Sequence, residues 1–279
     1  MKLYKTKQGI VVERDNAFYT IENQNWDTFV NDDSLHQKLV KTIASIKPDQ
    51  RTKDDILKEV LAPIQNQEVW ASGVTYYRSK VGREEESKNS GGGEFYARVY
   101  EAERPELFFK ATAARTVGHG GKVRIRKDST WDVPEPELTL CITSKGKIVG
   151  YTIGNDMSSR SIEGENPLYL PQAKTYDACA GLGPCIYVTE NPLPENTTIH
   201  LDILRGGKSV FQGSIEINQI KRKFTELAAF LYRECSFPNG SFLMTGTGII
   251  PPNEFTLQKD DEVRITIDAI GTLINVVDK

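Results

Sequence analysis

The chain has 279 residues, of which 38% are apolar and 26% are charged, the composition of an ordinary globular protein. Acidic residues number 38 and basic residues 35, so the formal net charge is −3 and there is no basic excess of the kind that nucleic-acid binding uses. No apolar run approaches the roughly 20 residues of a membrane span, and the polar start lacks the apolar stretch of a signal peptide. We therefore expect a cytoplasmic protein with no nucleic-acid or membrane partner.

Cysteine and histidine usage excludes two further kinds of site. The four cysteines are scattered and form no Cys-x-x-Cys pair, and the three histidines show no zinc-ligand spacing. We therefore expect reduced, mostly buried thiols and no zinc site. His119 lies among Gly118, Gly120 and Gly121, a flexible turn for which a plain surface role is favoured over catalysis.

Residues 1–66 are predicted to form a small amino-terminal α+β domain, followed by a main domain over residues 67–279. The small domain starts with two short strands within residues 2–21 and continues with two helices. The first of these helices begins after Ser34, a plausible N-cap, and carries four apolar residues at helical spacing, Leu35, Leu39, Ile43 and Ile46.

The main domain is predicted to be rich in strands. Strand-like runs broken by glycines and aspartates fill its carboxyl-terminal third, with one clear helix over residues 225–234. Residues 84–93 are polar and without periodicity, which favours a solvated surface loop. The alternative interpretation of this loop is a lid that closes over a bound substrate.

A predicted hairpin over residues 133–160 is the most informative segment. Apolar residues alternate with polar ones along residues 137–143 and again along residues 149–154, which is the period of a strand. A tight turn at Ser144–Lys147 joins the two runs. With Lys145 and Gly146 as the loop residues, the numbers of facing residues add to 291, so that Glu135 faces Asp156.

This register places Glu135, Glu137 and Asp156 on one face of the hairpin. Three carboxylates within about 5 Å repel one another by about 3 kcal/mol per pair at an effective dielectric constant of 20. A set of oxygen ligands without His or Cys suits a hard divalent cation such as Mg²⁺, Mn²⁺ or Ca²⁺. The alternative is a solvated strand end with scattered acids, and Pro136 indicates a strand end or an edge.

The motifs Pro134-Glu135-Pro136-Glu137 and Gly150-Tyr-Thr-Ile-Gly-Asn-Asp156 resemble those of the fumarylacetoacetate hydrolase family. The similarity runs from about Trp70 to the end of the chain, through Thr245-Gly-Thr-Gly248. The resemblance implies a β-rich α+β fold, a mixed β-sandwich or roll with a small amino-terminal domain. It also implies that the Glu-x-Glu pair and Asp156 bind Mg²⁺ or Mn²⁺.

The same resemblance assigns substrate contacts to Lys174 and to Thr247. The family's hydrolases usually carry a histidine that activates water in an Asn-Tyr-x-x-His segment, but here Ser79 stands at that position, after Arg78. Several segments instead resemble a branch of 2-keto-3-deoxy-pentonate (arabinonate or xylonate) dehydratases. The implied reaction is dehydration to 2,5-dioxopentanoate through a metal-stabilised enolate.

Residue roles are partly open at this point. Lys174 suits either a cation that holds the enolate or carboxylate, or a base if burial lowers its pKa. Glu163 is a candidate acid or base, with a solvated loop carboxylate as the alternative, and Arg78 is either a substrate clamp or a surface ion pair. Ser79 is a candidate substrate contact, and Arg160 is expected to pair with a carboxylate. Tyr169 and Gln172 are weaker candidates for the pocket wall.

Two other functions are compatible with the same metal ligands. One is acylpyruvate hydrolysis or oxaloacetate-type decarboxylation, and the missing histidine argues against the hydrolysis. The other is a structural metal site in a binding module, although such a site needs no open coordination position. The expected partner is a small-molecule 2-keto acid, and the family resemblance implies a homodimer or homotetramer.

Overall fold

The computed structural model describes residues 1–86 and 98–279, with the backbone alone for residues 82–86. The first three residues of the predicted loop, 84–86, belong to a helix, and residues 87–93 of it lie outside the described residues. None of the helices in the described part of the chain is long and apolar enough to cross a membrane.

The amino-terminal segment contains three strands where the sequence predicts two. Asp15 and Asn16 both have positive φ, of 52° and 63°, which matches a tight hairpin turn between the second and third strands. The elements of this segment are β1 (Lys2–Thr6), β2 (Gly9–Arg14), β3 (Ala17–Ile21), α1 (Trp26–Val30), α2 (Leu35–Ile43) and α3 (Lys53–Glu59).

The remaining residues alternate long strands with short helices. In chain order the elements are β4 (Glu68–Gly73), α4 (Tyr77–Glu86), β5 (Glu106–Thr112), β6 (Thr116–Val117), β7 (Lys122–Arg124), β8 (Asp132–Ile142), β9 (Ile148–Ser159), α5 (Arg160–Glu165), α6 (Leu170–Lys174), β10 (Ala180–Tyr187), β11 (Thr198–Arg205), β12 (Lys208–Glu216), α7 (Phe224–Leu231), β13 (Ser241–Met244), β14 (Glu262–Ile267) and β15 (Gly271–Asp278).

Two mixed sheets form the framework. The large sheet has the order β3-β2-β1-β10-β9-β8-β13-β4-β5, with β6 also paired to β10, and the small sheet has the order β12-β11-β14-β15-β7. Because β1 pairs with β10, the amino-terminal strands extend the same sheet that contains the β8–β9 hairpin. The domain boundary near residue 66 stays a prediction, and the segments on its two sides share a sheet.

The hairpin strands are buried on both faces. Leu138, Leu140 and Ile142 of β8 pack into a core that also contains Leu201 and Val263 of the small sheet. On the other face of the large sheet, a second core joins the amino-terminal helices to β4, β10 and β13. Because a core covers each face of the large sheet, β8 has no solvated face. The alternative of a polar, solvated sheet face, which the sequence pattern also permitted, is therefore wrong.

Pro136 lies inside β8 but only where β8 has a single neighbour. β9 pairs along almost all of β8, whereas β13 pairs only with residues 139–142. The proline therefore occupies the half of the strand that is an edge, where its missing N–H costs no ladder hydrogen bond on the β13 side. The expectation of an edge is correct, and the expectation of a strand end is wrong, because β8 begins at Asp132.

Candidate active site

The register of the β8–β9 hairpin follows the sequence prediction through the site. Facing pairs run from Asp132 with Ser159 to Cys141 with Gly150, and Glu135 lies opposite Asp156. The register shifts only at Ile142, next to the turn. This irregularity lies on the turn side of all three carboxylates, so it does not change which residues share their face.

The three acidic side chains meet inside the protein. One oxygen from each of Glu135, Glu137 and Asp156 lies within 4.8 Å of the other two. Their exposed fractions are 4%, 1% and 0%, so they are not the scattered acids of a solvated strand end. Buried carboxylates at this spacing need compensating cations or protons.

Lys174 supplies one of these cations from the last residue of α6. Its Nζ donates to Glu135 Oε2 at 2.6 Å, to Asp156 Oδ2 at 3.1 Å and to Ser158 Oγ at 2.6 Å. These three acceptors match the three protons of an ammonium group, which has no lone pair to accept a further proton. Of the two roles open for Lys174, this geometry favours the cation over the base.

Two more cations complete the cluster. Arg160, the first residue of α5, places Nη2 2.9 Å from Glu135 Oε1, as the sequence predicts for a carboxylate partner. Lys110 on β5 places Nζ 2.6 Å from Asp156 Oδ1 and has no exposed surface. Together with Lys174, these residues give the cluster three basic side chains, equal in number to its three acidic ones.

Glu137 is held by the backbone of the loop that follows β13. The N–H of Gly246 donates to Glu137 Oε2 at 2.5 Å. Burial raises the pKa of Glu137 well above its ordinary value, with Asp156 and Glu135 adding to the rise. Gly246 has a φ of 94°, and a Cβ there would collide with Thr75, so this position requires glycine. The Gly-Thr loop of the sequence motif is therefore shaped to deliver an N–H to a buried carboxylate.

The cluster fits a hard divalent cation. Its donors are carboxylate oxygens, which Mg²⁺ and Mn²⁺ prefer, and a cation would offset the burial and the carboxylate repulsion that raise the pKa of Glu137. Lys174 contacts oxygens of two of the three groups, so a bound cation would share them with this ammonium.

A small cavity opens onto the cluster. Glu135, Arg160 and Lys174 form its charged wall, and Ser79 and Thr247 add hydroxyl groups. The other lining residues are Ser72, Gly73 and three apolar side chains, Val74, Phe108 and Ile250. Of the three predicted metal ligands, Glu135 alone lines this cavity, and its volume of about 10 Å³ has room for about one water molecule. Binding of a substrate would therefore require the surrounding side chains to move apart.

The predicted substrate-binding residues have different positions. Thr247 and Ser79 line the cavity and are 5% and 8% exposed. The Ser79 hydroxyl exchanges hydrogen bonds with the backbone of Tyr76, donating to its carbonyl at 2.7 Å and accepting from its N–H at 3.1 Å. Arg78 is exposed and is not part of the cavity wall.

Other candidates from the sequence lie outside the cavity wall. Glu163 is buried on α5 but is not among the lining residues. Tyr169 is 37% exposed, and Gln172 is also exposed. His119 is half-buried and accepts a hydrogen bond at Nδ1 from the Ile274 N–H at 3.3 Å, so its contact is structural rather than that of an exposed turn.

Sequence reasoning missed Lys110 and a second carboxylate near the cavity, Glu106. Lys110 follows Leu107-Phe108-Phe109 within β5, and a lysine that is fully buried in such a strand needs an ion-pair partner. Glu106 faces Gly73 across the β4–β5 pair, and its carboxylate fills the space in which a side chain at residue 73 would project. Gly73 itself lines the cavity, so Glu106 stands beside it.

Comparison with known proteins agrees with this geometry. Residues 75–278 match the family model described as the fumarylacetoacetate (FAA) hydrolase C-terminal domain. The chain is 40% identical over 280 residues to a probable 2-keto-3-deoxyxylonate dehydratase of Haloferax volcanii, covering 97% of this chain and 96% of the relative. The chain belongs to the fumarylacetoacetate hydrolase family.

Two further relatives of this fumarylacetoacetate hydrolase family member are informative. It is 45% identical over 223 residues to a 2-dehydro-3-deoxy-D-arabinonate dehydratase of Saccharolobus solfataricus, covering 79% of this chain and 74% of the relative. A solved structure of 2-keto-3-deoxy-D-arabinonate dehydratase complexed with magnesium and 2,5-dioxopentanoate superposes with a TM-score of 0.84 at 36% identity. That superposition covers 100% of this chain and 99% of the solved one, which confirms the predicted fold class and family.

Proposed function

We propose that the protein is a Mg²⁺- or Mn²⁺-dependent hydro-lyase that converts a 2-keto-3-deoxy-pentonate into 2,5-dioxopentanoate and water. The observation that carries this proposal is the buried group of Glu135, Glu137 and Asp156 with Lys174 at the cavity. Two dehydratases of such compounds are 40% and 45% identical to the chain, and a third has been solved with magnesium and that product.

The reaction balances as loss of one water from the five-carbon acid. Loss of a C3 proton gives an enolate, and departure of the C4 hydroxyl, protonated to water, then forms a C3–C4 double bond. Transfer of a proton from C5 to C3 and loss of the C5 hydroxyl proton to C4 then give the aldehyde. The protein must therefore hold the 2-keto acid end still and exchange protons at the far end of the substrate.

The three carboxylates would hold the cation. When bound, a divalent cation supplies Lewis-acid polarisation of the keto group, which makes the C3 proton more acidic. If the cation takes the Glu135 and Asp156 oxygens that accept from Lys174, the Lys174 ammonium at the cavity wall would be released to donate a hydrogen bond to the enolate or carboxylate oxygen of the substrate. Thr247 is proposed to bind the substrate carboxylate through its hydroxyl.

Proton exchange is assigned to a carboxylate. Neither Glu106 nor Glu163 lines the cavity, but the Glu106 carboxylate lies directly beside Gly73, which does. We therefore place Glu106 before Glu163 as the acid–base group, with the position of its carboxylate as the supporting observation. Arg78 is exposed and lies outside the cavity wall, and its contact with the substrate stays a prediction.

The hydrolytic alternative is less well supported. Ser79 occupies the position of the family's water-activating histidine, and its hydroxyl is already bonded to the Tyr76 backbone. A serine hydroxyl with an ordinary pKa far above neutrality is also a poor base without a partner histidine. Dehydration and decarboxylation do not require that histidine.

A panel of substrates tests the proposal. Chelator-stripped protein is given Mg²⁺ and either 2-keto-3-deoxy-D-arabinonate, its C4 epimer, an acylpyruvate or oxaloacetate, and the products are identified by NMR. We expect 2,5-dioxopentanoate from one of the two pentonates and no rapid consumption of the other acids. Turnover of an acylpyruvate or oxaloacetate with neither pentonate consumed would replace the proposal with the hydrolase or decarboxylase alternative.

We also propose that the protein is a cytoplasmic homodimer or homotetramer. The family resemblance supports this assembly. Light scattering coupled to size-exclusion chromatography would give the molar mass directly, and a mass of one 31.3 kDa chain would contradict it.

A further inference from the structure

Lys110 is a second fully buried lysine beside the candidate metal ligands, and no step of the proposed reaction uses it. Its ammonium contacts Asp156 Oδ1 at 2.6 Å, donates to the Met157 carbonyl at 2.8 Å and donates to the Lys174 carbonyl. Lys110 thus forms one ion pair, to Asp156, and two hydrogen bonds, to the backbone carbonyls. It does not line the cavity.

The three acceptors belong to different parts of the site. Asp156 and Met157 are on β9, and the carbonyl of Lys174 lies at the end of α6. The last carbonyl groups of a helix have no partner within it, so an external donor fixes where the helix ends. One ammonium thus ties the candidate ligand Asp156 to the residue that carries the Lys174 side chain.

The two lysines divide the Asp156 carboxylate between them. Lys110 takes Oδ1 and Lys174 takes Oδ2, and Lys174 alone belongs to the cavity wall. The same Lys174 ammonium also contacts Glu135, so Oδ2 is the Asp156 oxygen that lies toward this other candidate ligand. A cation that replaced Lys174 at Oδ2 would leave the Lys110 contact at Oδ1 in place.

We propose that Lys110 is a positioning residue of the reaction. It holds Asp156 with Oδ2 directed to the cation and fixes the end of α6 from which Lys174 reaches the substrate. This inference rests on the proposed function, since it assumes that Asp156 binds the cation. Lys110 touches neither substrate nor cation and acts only through these two residues.

The test measures Mn²⁺ binding to chelator-stripped protein from the electron paramagnetic resonance signal of free Mn²⁺. Wild type is compared with Lys110→Met, Lys110→Gln and the matched control Arg205→Met. Arg205 forms an ion pair at 2.8 Å with the fully buried Asp261, which is not one of the candidate ligands. The control therefore removes a comparable charge from an ion pair outside the cluster.

We expect Lys110→Met to weaken Mn²⁺ binding by about 10- to 100-fold, the usual effect of losing a group that orients a metal ligand. Arg205→Met is expected to lower the melting temperature but to bind Mn²⁺ within about twofold of wild type. In turnover assays at saturating Mn²⁺, Lys110→Met should lower kcat more than it raises KM, because Lys174 is displaced from its transition-state contact.

Several results would overturn the positioning role. A folded Lys110→Met that binds Mn²⁺ within about twofold of wild type would do so, as would equal weakening in Arg205→Met. If Lys110→Met does not fold, Lys110→Gln, which keeps an amide donor, is measured instead. Mn²⁺ binding by Lys110→Gln within about twofold of wild type, or weakened no more than in Arg205→Met, would then overturn the role. Failure of both variants to fold would assign Lys110 to folding instead.

A reference variant separates this inference from the proposed function. Glu137→Gln removes one candidate ligand without touching Lys110. If Glu137→Gln binds Mn²⁺ as tightly as wild type, the metal site itself is wrong. If Glu137→Gln loses binding and the Lys110 variants keep it, only the positioning role fails.

Discussion

At the scale of single residues, the alternation along β8 and β9 predicts which acidic side chains share a face. It does not predict the basic side chain from another strand that pairs with them. The period of two along β8 and β9 predicts that Glu135, Glu137 and Asp156 converge, because facing residues project to the same side. No local period predicts that Lys110, about 46 residues from Asp156 along the chain, lies 2.6 Å from it. Such a contact depends on how β5 and α6 pack.

Gly246 gives a residue-scale prediction. Gly246→Ala places a Cβ against Thr75 at a φ of 94°, so the loop must shift its N–H away from Glu137. We expect a loss of about 1–3 kcal/mol in the free energy of unfolding and weaker Mn²⁺ binding.

Gly206→Ala is the matched control for Gly246→Ala. Gly206 has a φ of 57°, but a Cβ there meets no atom within 4 Å and the residue lies in the β11–β12 turn. It should lower stability through backbone strain alone and leave Mn²⁺ affinity unchanged. Equal Mn²⁺ affinity in both variants, measured by titration, would contradict the role given to the Gly246 N–H.

Glu106 gives a second prediction at this scale. Glu106→Gln keeps the size of the side chain but cannot exchange a proton, so kcat is expected to fall by about 10²- to 10⁴-fold. Mn²⁺ affinity should stay near that of wild type, because Glu106 is not in the carboxylate cluster. Glu163→Gln, measured in parallel, should retain most of the activity. The opposite ranking of the two variants would return the acid–base role to Glu163.

At the scale of elements, the long hairpin could be predicted and the short helices could not. The predicted two-residue loop is wrong, because the Thr143 N–H bonds to the Lys147 carbonyl around a turn of three residues, 144–146. The register shift at Ile142 offsets the extra residue and restores the predicted pairing through the site. The helices α5 and α6 have six and five residues, too short to form alone, so tertiary contacts decide them. Their positions, which place Arg160 and Lys174, therefore leave little trace in the local sequence.

The start of α5 gives an element-scale prediction. Ser159 is its N-cap, with Oγ accepting from the Ile162 N–H at 3.4 Å and donating to Ser129 Oγ at 2.8 Å. Ser159→Ala should cost about 0.5–2 kcal/mol in the free energy of unfolding. Since Arg160 follows directly, we also expect a higher KM for the 2-keto acid. Unchanged stability in chemical denaturation would show that the cap does not hold this helix.

At the scale of the whole molecule, the pairing between distant strands is what the sequence does not reveal. β1 pairs with β10, and β13 pairs in parallel with β4, although both pairs are far apart along the chain. Period and turn signals identify strands but not their distant neighbours. The family resemblance, rather than periodicity, predicts the β-rich sandwich or roll as a whole.

His119 connects the segment before β7 to β15 and predicts how stability depends on pH. Burial lowers the pKa of His119 below its ordinary value of about 6.5, since the charged form is disfavoured in the folded state. The unfolded state then binds more protons as the pH falls below about 6.5, so folding stability decreases in that direction. Asn at this position keeps an acceptor for the Ile274 N–H but does not titrate.

We therefore expect the melting temperature of wild type to fall more than that of His119→Asn when the pH is lowered from about 7.5 to about 5.5. Calorimetry on both proteins checks the difference. If the melting temperatures of the two proteins fall in parallel over that pH range, His119 gains its proton as easily in the folded state as in the unfolded state.

The measurement that tests the central claim most directly is Mg²⁺-dependent turnover by wild type and Glu137→Gln. Both proteins are stripped with chelator, and formation of 2,5-dioxopentanoate from 2-keto-3-deoxy-D-arabinonate and its C4 epimer is followed as Mg²⁺ is added. We predict product only with Mg²⁺ in wild type, and a loss of about 10³-fold or more in a folded Glu137→Gln. Product without metal, or equal turnover by the variant, would contradict the assignment of these carboxylates to the reaction.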